Sequence, residues 1–456
     1  SGPLDAERLR AAADAVVARH ANLRAVFLRR SNGDPAQVVQ RDVRVPWTAV
    51  DLTDRDEAGV RAATDELLHA DRRQRFDVAK APLLRFTLLR TGAEWHRLLL
   101  TYHHILLDGW SWPVLVREML ALYHAAPGHD PLPAATPYRS FLTWLEGRDR
   151  EAAREAWAKA LSGLSGGTRT APAAPGPGGV LPDRVETELS EAATARLTEL
   201  ARGRRLTPSV MLQGAWAVLL GQRVRSDDVV FGAIVSGRAP ELPGVEDIVG
   251  LLINTVPVRV RIDRAEPLME LFGRLQEDQA RLIDHHHLDL VEVQRLAGAG
   301  ELFDSCVAFQ NFPVDPAGLA ALSDGELSVT TVEPYDAAHY PLTLTAIPGP
   351  RLCLQVDYRP DVFTRDDADA LLARLVRVLD AVAADPALTV GRLDTLSAAE
   401  RHRVLVEWND TTRDEDYAEV VERVRAVAER TPHAPAVTAP DEELTYGELV
   451  RRADAL

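Results

Sequence analysis

A chain of 456 residues, 46% hydrophobic and 26% charged, has material for more than one compact core and reads as globular. Its formal net charge of -16 argues against nucleic acid or an anionic membrane as principal partner, and no apolar run reaches the roughly 20 residues of a membrane-spanning helix. Two cysteines, Cys306 and Cys353, cannot build a disulfide framework, and the opening SGPLDAERLR carries no secretory signal, so a cytoplasmic setting is expected.

In chain order, residues 4–20 place Leu9, Ala12, Ala13, Val16 and Val17 on one helical face, with Asp5 near the start. A strand LRAVFLRR follows, then a turn from Ser31 to Pro35. A helix from Glu57 to Arg75 leads to a hairpin, RFTLLR and WHRLLLTY, turned at Thr91 to Glu94. The second strand runs into TYHHILLDGWSW, Thr101 to Trp112. Beyond it Ser111 is placed to cap, and Pro113 to open, a helix with Val114, Leu115, Met119, Leu122 and Tyr123 inward.

The polar residues of this stretch therefore occupy a strand-to-helix loop. Adjacent residues leaving a strand point to opposite sides, so His103 and His104 are expected to do different work. Gly109, next to Asp108, admits a backbone conformation that a residue with a Cβ resists. Such a loop can hold one imidazole at a cavity and anchor it through the carboxylate, and a neutral imidazole suits base work near neutrality. Spacing alone leaves a satisfied structural histidine and a metal site open, although Asp108 and His104 have no third ligand nearby in sequence.

Further on, Thr136 to Leu145 is amphipathic with Tyr138 and Trp144, and a helix runs to about Leu161. Ser162 to Pro182, dense in Gly and Pro, reads as an exposed linker dividing the chain near residue 175 into halves of similar size. Beyond it come a strand RVETELS, a helix capped by Ser190 and an all-round apolar, hence buried, helix opened by Thr207 and Pro208. The strand VVFGAIVSGR ends at Arg238, and VGLLINTVPVRV, Val249 to Val260, carries Asn254. HHHLDL, His285 to Leu290, invites a metal reading, but consecutive histidines at a helix end fan apart, and it receives no site role. Phe303 to Pro313 and His339 to Phe363 alternate as paired strands, a helix spans Thr364 to Ala384, and the register changes at Leu396.

HHILLDG fits the HHxxxDG signature of the condensation domains of nonribosomal peptide synthetases, which share their fold with chloramphenicol acetyltransferase. Other segments resemble that family's companion motifs. They are ARHANLRAVF with Arg19, His20 and Arg24, TPYRSFLTWL, the SGR ending at Arg238, and LLINT with Asn254. The basic residues of the first read on their own as a solvated helix end. The run at His285 and the stretch from Phe303 depart from the family pattern. A segment with a Pro-Leu-Gln-type motif is expected before the first residue and is not carried over. From Leu396 the chain resembles the linker to an adenylation domain, and LTYGEL, Leu444 to Leu449, resembles that domain's first motif.

The resemblance implies an α/β (α+β) fold of two chloramphenicol-acetyltransferase-like lobes, a pseudo-dimer with an active-site tunnel between them. The lobes would span residues 1–175 and 176–395, with a linker and adenylation fragment at 396–456. It implies amide formation between a donor and an acceptor thioester held on the phosphopantetheine arms of upstream and downstream carrier proteins, the chain itself binding no cofactor or metal and acting as a monomer beside an adenylation domain. His104 would be central, with Asp108 and Gly109 completing the catalytic loop and Arg238 pairing with Asp108 through two hydrogen bonds. His103, Asn254, Ser111 and Trp110 would support it. The surrounding pattern looks closest to the subgroup taking a D-configured donor. An epimerisation domain and a silent carrier-docking domain are the competing readings, while heterocyclisation is disfavoured because its aspartate-rich replacement of HH is missing.

Overall fold

The computed structural model describes residues 1–126, 129–171, 180–310, 327–333, 335, 339–412 and 419–456. These form two compact units, Ser1–Thr395 and Leu396–Leu456. The first unit contains two large apolar cores.

The first core begins with α1 (Ala6–Arg19), which buries Leu9, Ala12, Ala13, Val16 and Val17 and is capped by the Asp5 carboxylate. β1 (Ala25–Arg29) pairs antiparallel with β2 (Pro35–Val39). β3 (Trp47–Asp51), α2 (Glu57–Arg73), β4 (Leu84–Arg90) and β5 (His96–Tyr102) follow, β3 parallel and β5 antiparallel to β4. α3 (Ser111–His124) returns across α1, burying Val114, Leu115, Met119 and Tyr123 in the same core.

The end of α1 is not a solvated basic cluster. His20 is buried, its Nε2 2.6 Å from Glu118 Oε2 of α3, and Arg19 Nε donates to the same oxygen at 3.0 Å. Arg24 closes the hairpin by donating to the carbonyls of Gln40 and Arg41. Facing a carboxylate on the neighbouring helix, the charges at the end of α1 are compensated inside rather than by water.

α4 (Tyr138–Glu146) packs Phe141 against Val245, Ile248 and Leu252, and α5 (Arg150–Ala160) sends Trp157 into the second core. The expected division near residue 175 lies outside the described residues, as does 172–179 of the glycine- and proline-rich stretch. Its earlier part is not an exposed linker. Thr168 N donates to Leu302 O at 2.9 Å and its hydroxyl accepts from Val230 N. The buried Asp304 carboxylate accepts from Thr170 N, Thr170 Oγ1 and Ala171 N. Small residues here let the chain lie close along strand backbone, a use that composition does not distinguish from solvation.

The second core is built on β6 (Asp183–Glu188), α6 (Glu191–Gly203), α7 (Pro208–Val224), β7 (Asp228–Val235), β8 (Asn254–Arg261), α8 (Leu268–Leu282), α9 (Leu290–Ala297), β9 (Ser305–Phe309), β10 (Leu342–Ile347), β11 (Cys353–Tyr358) and α10 (Arg365–Ala384). Its six-stranded sheet has the order β6-β11-β10-β9-β7-β8, with β9 parallel to both neighbours. The all-round apolar sequence of α7 has the predicted consequence, burial from Val210 to Gly221. The end of the Phe303 to Pro313 strand prediction, from residue 311, lies outside the described residues.

Residues 327–333 and Tyr335 lie between the two cores. Leu327 packs against the first, Arg72 of α2 stacks over Tyr335 at 3.7 Å, and Tyr335 Oη donates to Pro182 O at 3.2 Å. Nothing in their apolar pattern announces this crossing.

In the second unit, α11 (Ala398–Leu405) is opened by the reciprocal Ser397 and Glu400 capping box. α12 (Val420–Arg430), β12 (Pro435–Thr438), β13 (Glu443–Thr445) and α13 (Tyr446–Asp454) follow, with Thr445 and Glu448 forming the same device at α13. No helix among the described residues is long and apolar enough to cross a membrane.

Candidate active site

The loop leaving β5 is fixed at its first residue, where His103 N donates to Leu83 O at 2.8 Å. The His103 ring turns back on the loop, Nδ1 accepting from Ile105 N at 3.1 Å. An Nδ1 that accepts leaves the neutral ring's proton on Nε2. Burial, then the neighbouring His104, holds the His103 pKa below the ordinary histidine value. His104 is half-buried and lies edge-on to Tyr102, ring centroids 6.4 Å apart. The adjacent imidazoles thus have different surroundings, as expected for strand neighbours.

Asp108 is completely buried. Its Oδ1 accepts from Trp110 N at 3.2 Å, Ser111 N at 3.1 Å, Ser111 Oγ at 2.9 Å and Arg238 Nη2 at 2.9 Å; its Oδ2 accepts from Leu252 N at 3.0 Å. A buried carboxylate persists when each oxygen is met by donors and a counter-charge, and Arg238, 3% exposed in its side chain, supplies that charge. The expected two-bond pairing is not formed: one guanidinium nitrogen meets one carboxylate oxygen, because backbone takes the other. Arg238 Nη1 instead donates to Val245 O at 2.6 Å, and Nη2 also to Ile248 O at 3.1 Å. Its Nε is buried without a hydrogen-bond partner among the described residues.

Two expectations about the helix start are corrected. Ser111 does not cap α3; it is the helix's first residue, with Trp110 at the cap position and the Asp108 carboxylate collecting the leading N–H groups. Gly109 is not among the positive-φ residues. An aspartate that binds backbone two and three residues ahead closes the turn with ordinary dihedrals, so glycine's freedom is not needed for it.

The Ser111 hydroxyl works across the interface between the cores. It lies 2.9 Å from Gly250 O and accepts from Gly250 N at 3.1 Å, while Asp108 N donates to Gly250 O at 3.1 Å. Residues 248–252 are thereby clasped onto the loop, and Val249 enters the first core. Tyr138 closes the clasp from α4: its hydroxyl donates to Leu251 O at 2.9 Å, and a Cβ on Gly250 would overlap its ring. Burial, helped by the Asp108 charge, pushes the Tyr138 phenol up to about 12, so it remains a donor.

Asn254 is engaged elsewhere. Its Nδ2 donates to His286 O at 2.7 Å and Leu288 O at 2.8 Å, and its Oδ1 accepts from Thr255 N at 2.8 Å. An amide so occupied by backbone is an anchor for the residue 286–288 turn rather than a substrate contact. Burial depresses His286 to about 4. Among the described residues no group of three or more His, Cys, Asp or Glu side chains is arranged to hold a metal.

Sequence reasoning thus brought His103, His104, Asp108, Gly109, Trp110, Ser111 and Arg238 to one place, and missed Gly250, Leu252 and the Tyr138 hydroxyl. Leu252 contributes backbone only, which no side-chain pattern reveals; the glycine of VGLL was the available sign.

A condensation-domain family model matches residues 1–405. A linear gramicidin synthase of Brevibacillus parabrevis is 34% identical over 465 residues, covering 99% of this chain and 6% of that protein. The chain therefore spans only a small part of that relative's length. The first condensation domain of the calcium-dependent antibiotic synthetase, in complex with substrate analogue 2a, superposes with a TM-score of 0.69 at 21% identity, covering 87% of this chain and 92% of that one. The X-domain from teicoplanin biosynthesis gives a TM-score of 0.73 at 24% identity, covering 87% and 91%. These likenesses bear out the two-lobed, chloramphenicol-acetyltransferase-like α/β expectation for the fold. On the family match, which takes in most of its length, the chain belongs to the condensation-domain family, the amide-forming acyltransferases of nonribosomal peptide synthetases.

Proposed function

We propose that the chain joins a donor aminoacyl or peptidyl thioester to the α-amino group of an acceptor aminoacyl thioester. Both substrates are held on phosphopantetheine arms of carrier proteins, upstream and downstream, which enter a tunnel between the lobes from opposite faces. The amine nitrogen forms a bond to the donor carbonyl carbon, the C–S bond breaks, the amine loses a proton and the released thiolate gains one. Holding both thioesters at one point removes the entropic cost of their encounter, worth several kcal/mol or more. The chain supplies no cofactor of its own, acts as a monomer and works in the cytoplasm.

The observation that carries this reading is the loop from His103 to Ser111. Its Asp108 is buried among fixed donors, and half-buried His104 stands between that anchor and β5. His104 acts on the attacking amine, as a base or by orienting it and stabilising developing charge. Asp108 and Arg238 organise the loop and take no part in proton transfer. Gly109 lets substrate approach the loop backbone, and His103 supports from behind. The donor is D-configured, a reading that rests on the resemblance of HHILLDGWS and its companion segments to that subgroup. Residues 396–456 are the linker and the first part of an adenylation domain, supported by the LTYGEL strand-to-helix turn with its capping box.

The test is amide formation from carrier-loaded donor and acceptor by wild type and His104→Ala; both roles of His104 need the neutral ring, so kcat should fall on the acid side in either case. A folded chain that binds both carriers yet forms no amide from either donor stereoisomer would be a docking domain instead.

A further inference from the structure

Between its two ends the His104 loop has a third attachment, made from the first lobe. Asn22, in the short 3-10 turn after α1, is buried, and its Nδ2 donates to the carbonyl of Leu106, itself fully buried. Gln37 Nε2 of β2 donates to Asn22 Oδ1 at 2.6 Å. This pairing fixes which way the amide faces, since a carbonyl only accepts and the Gln37 nitrogen only donates.

The attachment falls at a telling place. His103 N is held by Leu83 O, and Asp108 N by Gly250 O. Leu106 lies between them, two residues beyond His104. With Asn22 in place, the backbone carrying His104 is clamped on both sides within three residues; without it, the tie from the turn after α1 to the middle of the loop is lost. We infer that Asn22 is a positioning residue for the reaction, setting the His104 imidazole against the attacking amine through the Leu106 carbonyl. It touches neither substrate nor reacting atoms, and the inference rests on the condensation reading of the loop.

Asn22→Asp isolates the contact. A carboxylate keeps an acceptor for Gln37 but has no donor for Leu106, and sets oxygen against oxygen there. A displacement on the order of 1 Å costs roughly 100-fold in rate, so kcat for amide formation falls roughly 10- to 100-fold. The KM of the loaded acceptor carrier stays within about twofold, because the binding surfaces are untouched. The decisive readout is the pair of variants together: on a His104→Ala background, Asn22→Asp has no further effect, since the group it positions is gone.

Three results overturn the inference. Asn22→Asp with wild-type kcat, beside a large His104→Ala loss, removes Asn22 from the mechanism and leaves the condensation reading standing. An additional loss from Asn22→Asp in the double variant makes its role general stability. His104→Ala with wild-type kcat overturns the condensation mechanism itself, and the inference with it. Should Asn22→Asp not fold, Asn22→Ser, too short to reach Leu106 O, takes its place in the same cycle with the same expected outcomes.

Discussion

Asp108 Oδ1 and Arg238 Nη2 stand 2.9 Å apart across 130 positions of sequence, one side chain fully buried and the other 3% exposed. The pair joins the loop that carries His104 to the segment after β7. Each partner also holds backbone: Asp108 takes Trp110, Ser111 and Leu252 N–H groups, and Arg238 binds the Val245 and Ile248 carbonyls.

Removing either partner leaves the other charge buried and uncompensated. Asp108→Asn also turns a donor nitrogen toward an N–H, and should lose about 3–5 kcal/mol. Arg238→Met leaves the buried carboxylate with its N–H and hydroxyl donors but no counter-charge, and should lose a similar amount, about 3–5 kcal/mol. Urea unfolding of both single variants and the double measures the pair. The double variant should lose less than the two singles added; strict additivity would mean the two groups do not act as a pair.

Two glycines make a contrast. Gly250→Ala drives a methyl into the Tyr138 ring and should destabilise by roughly 1–3 kcal/mol while opening the clasp on Ser111. Gly273→Ala, in α8 with open space around its Cβ, should stabilise by up to about 1 kcal/mol. Thermal unfolding midpoints moving down for the first and up for the second are the expected result. A Gly250→Ala midpoint equal to wild type would mean that Tyr138 does not pack there.

Acid sensitivity follows from His286. Its folded pKa, about 4 through burial, lies below the ordinary value, so the unfolded chain binds the proton more readily. The sign is therefore a loss of stability as pH falls below the unfolded value near 6.5, continuing to about pH 4. At pH 5 that loss amounts to about 2 kcal/mol. His286→Asn should lose correspondingly less stability between pH 8 and pH 5 in urea unfolding. A pH dependence identical to wild type would show that His286 titrates normally.

What the sequence made legible divides by physical cause. α1 and α10 were readable to within a few residues because apolar period and cap residue agree at Asp5 and Thr364. The β4 and β5 hairpin was readable from alternation and its turn, and the Asp108 to Arg238 pairing from the family resemblance alone. Local pattern did not tell Ser111 from a cap, because the competing carboxylate of Asp108 decides which group meets the first N–H. It did not fix the work of Asn254 or His20, whose partners His286 O and Glu118 lie on other elements. Nor did it reveal the attachments made by Leu252 N and Leu106 O, which are backbone atoms. Burial of Thr168 and Thr170 under a stretch that reads as linker is the same lesson: composition reports solubility, not what the backbone packs against.

The most direct measurement is amide formation from a donor on the upstream carrier and an aminoacyl acceptor on the downstream one, comparing wild type with His104→Ala and using both donor stereoisomers. Wild type should form product, preferentially from the D-configured donor, and His104→Ala should lose at least about 100-fold in kcat with carrier binding retained. A His104→Ala chain as active as wild type would contradict the assignment of His104 to the chemistry.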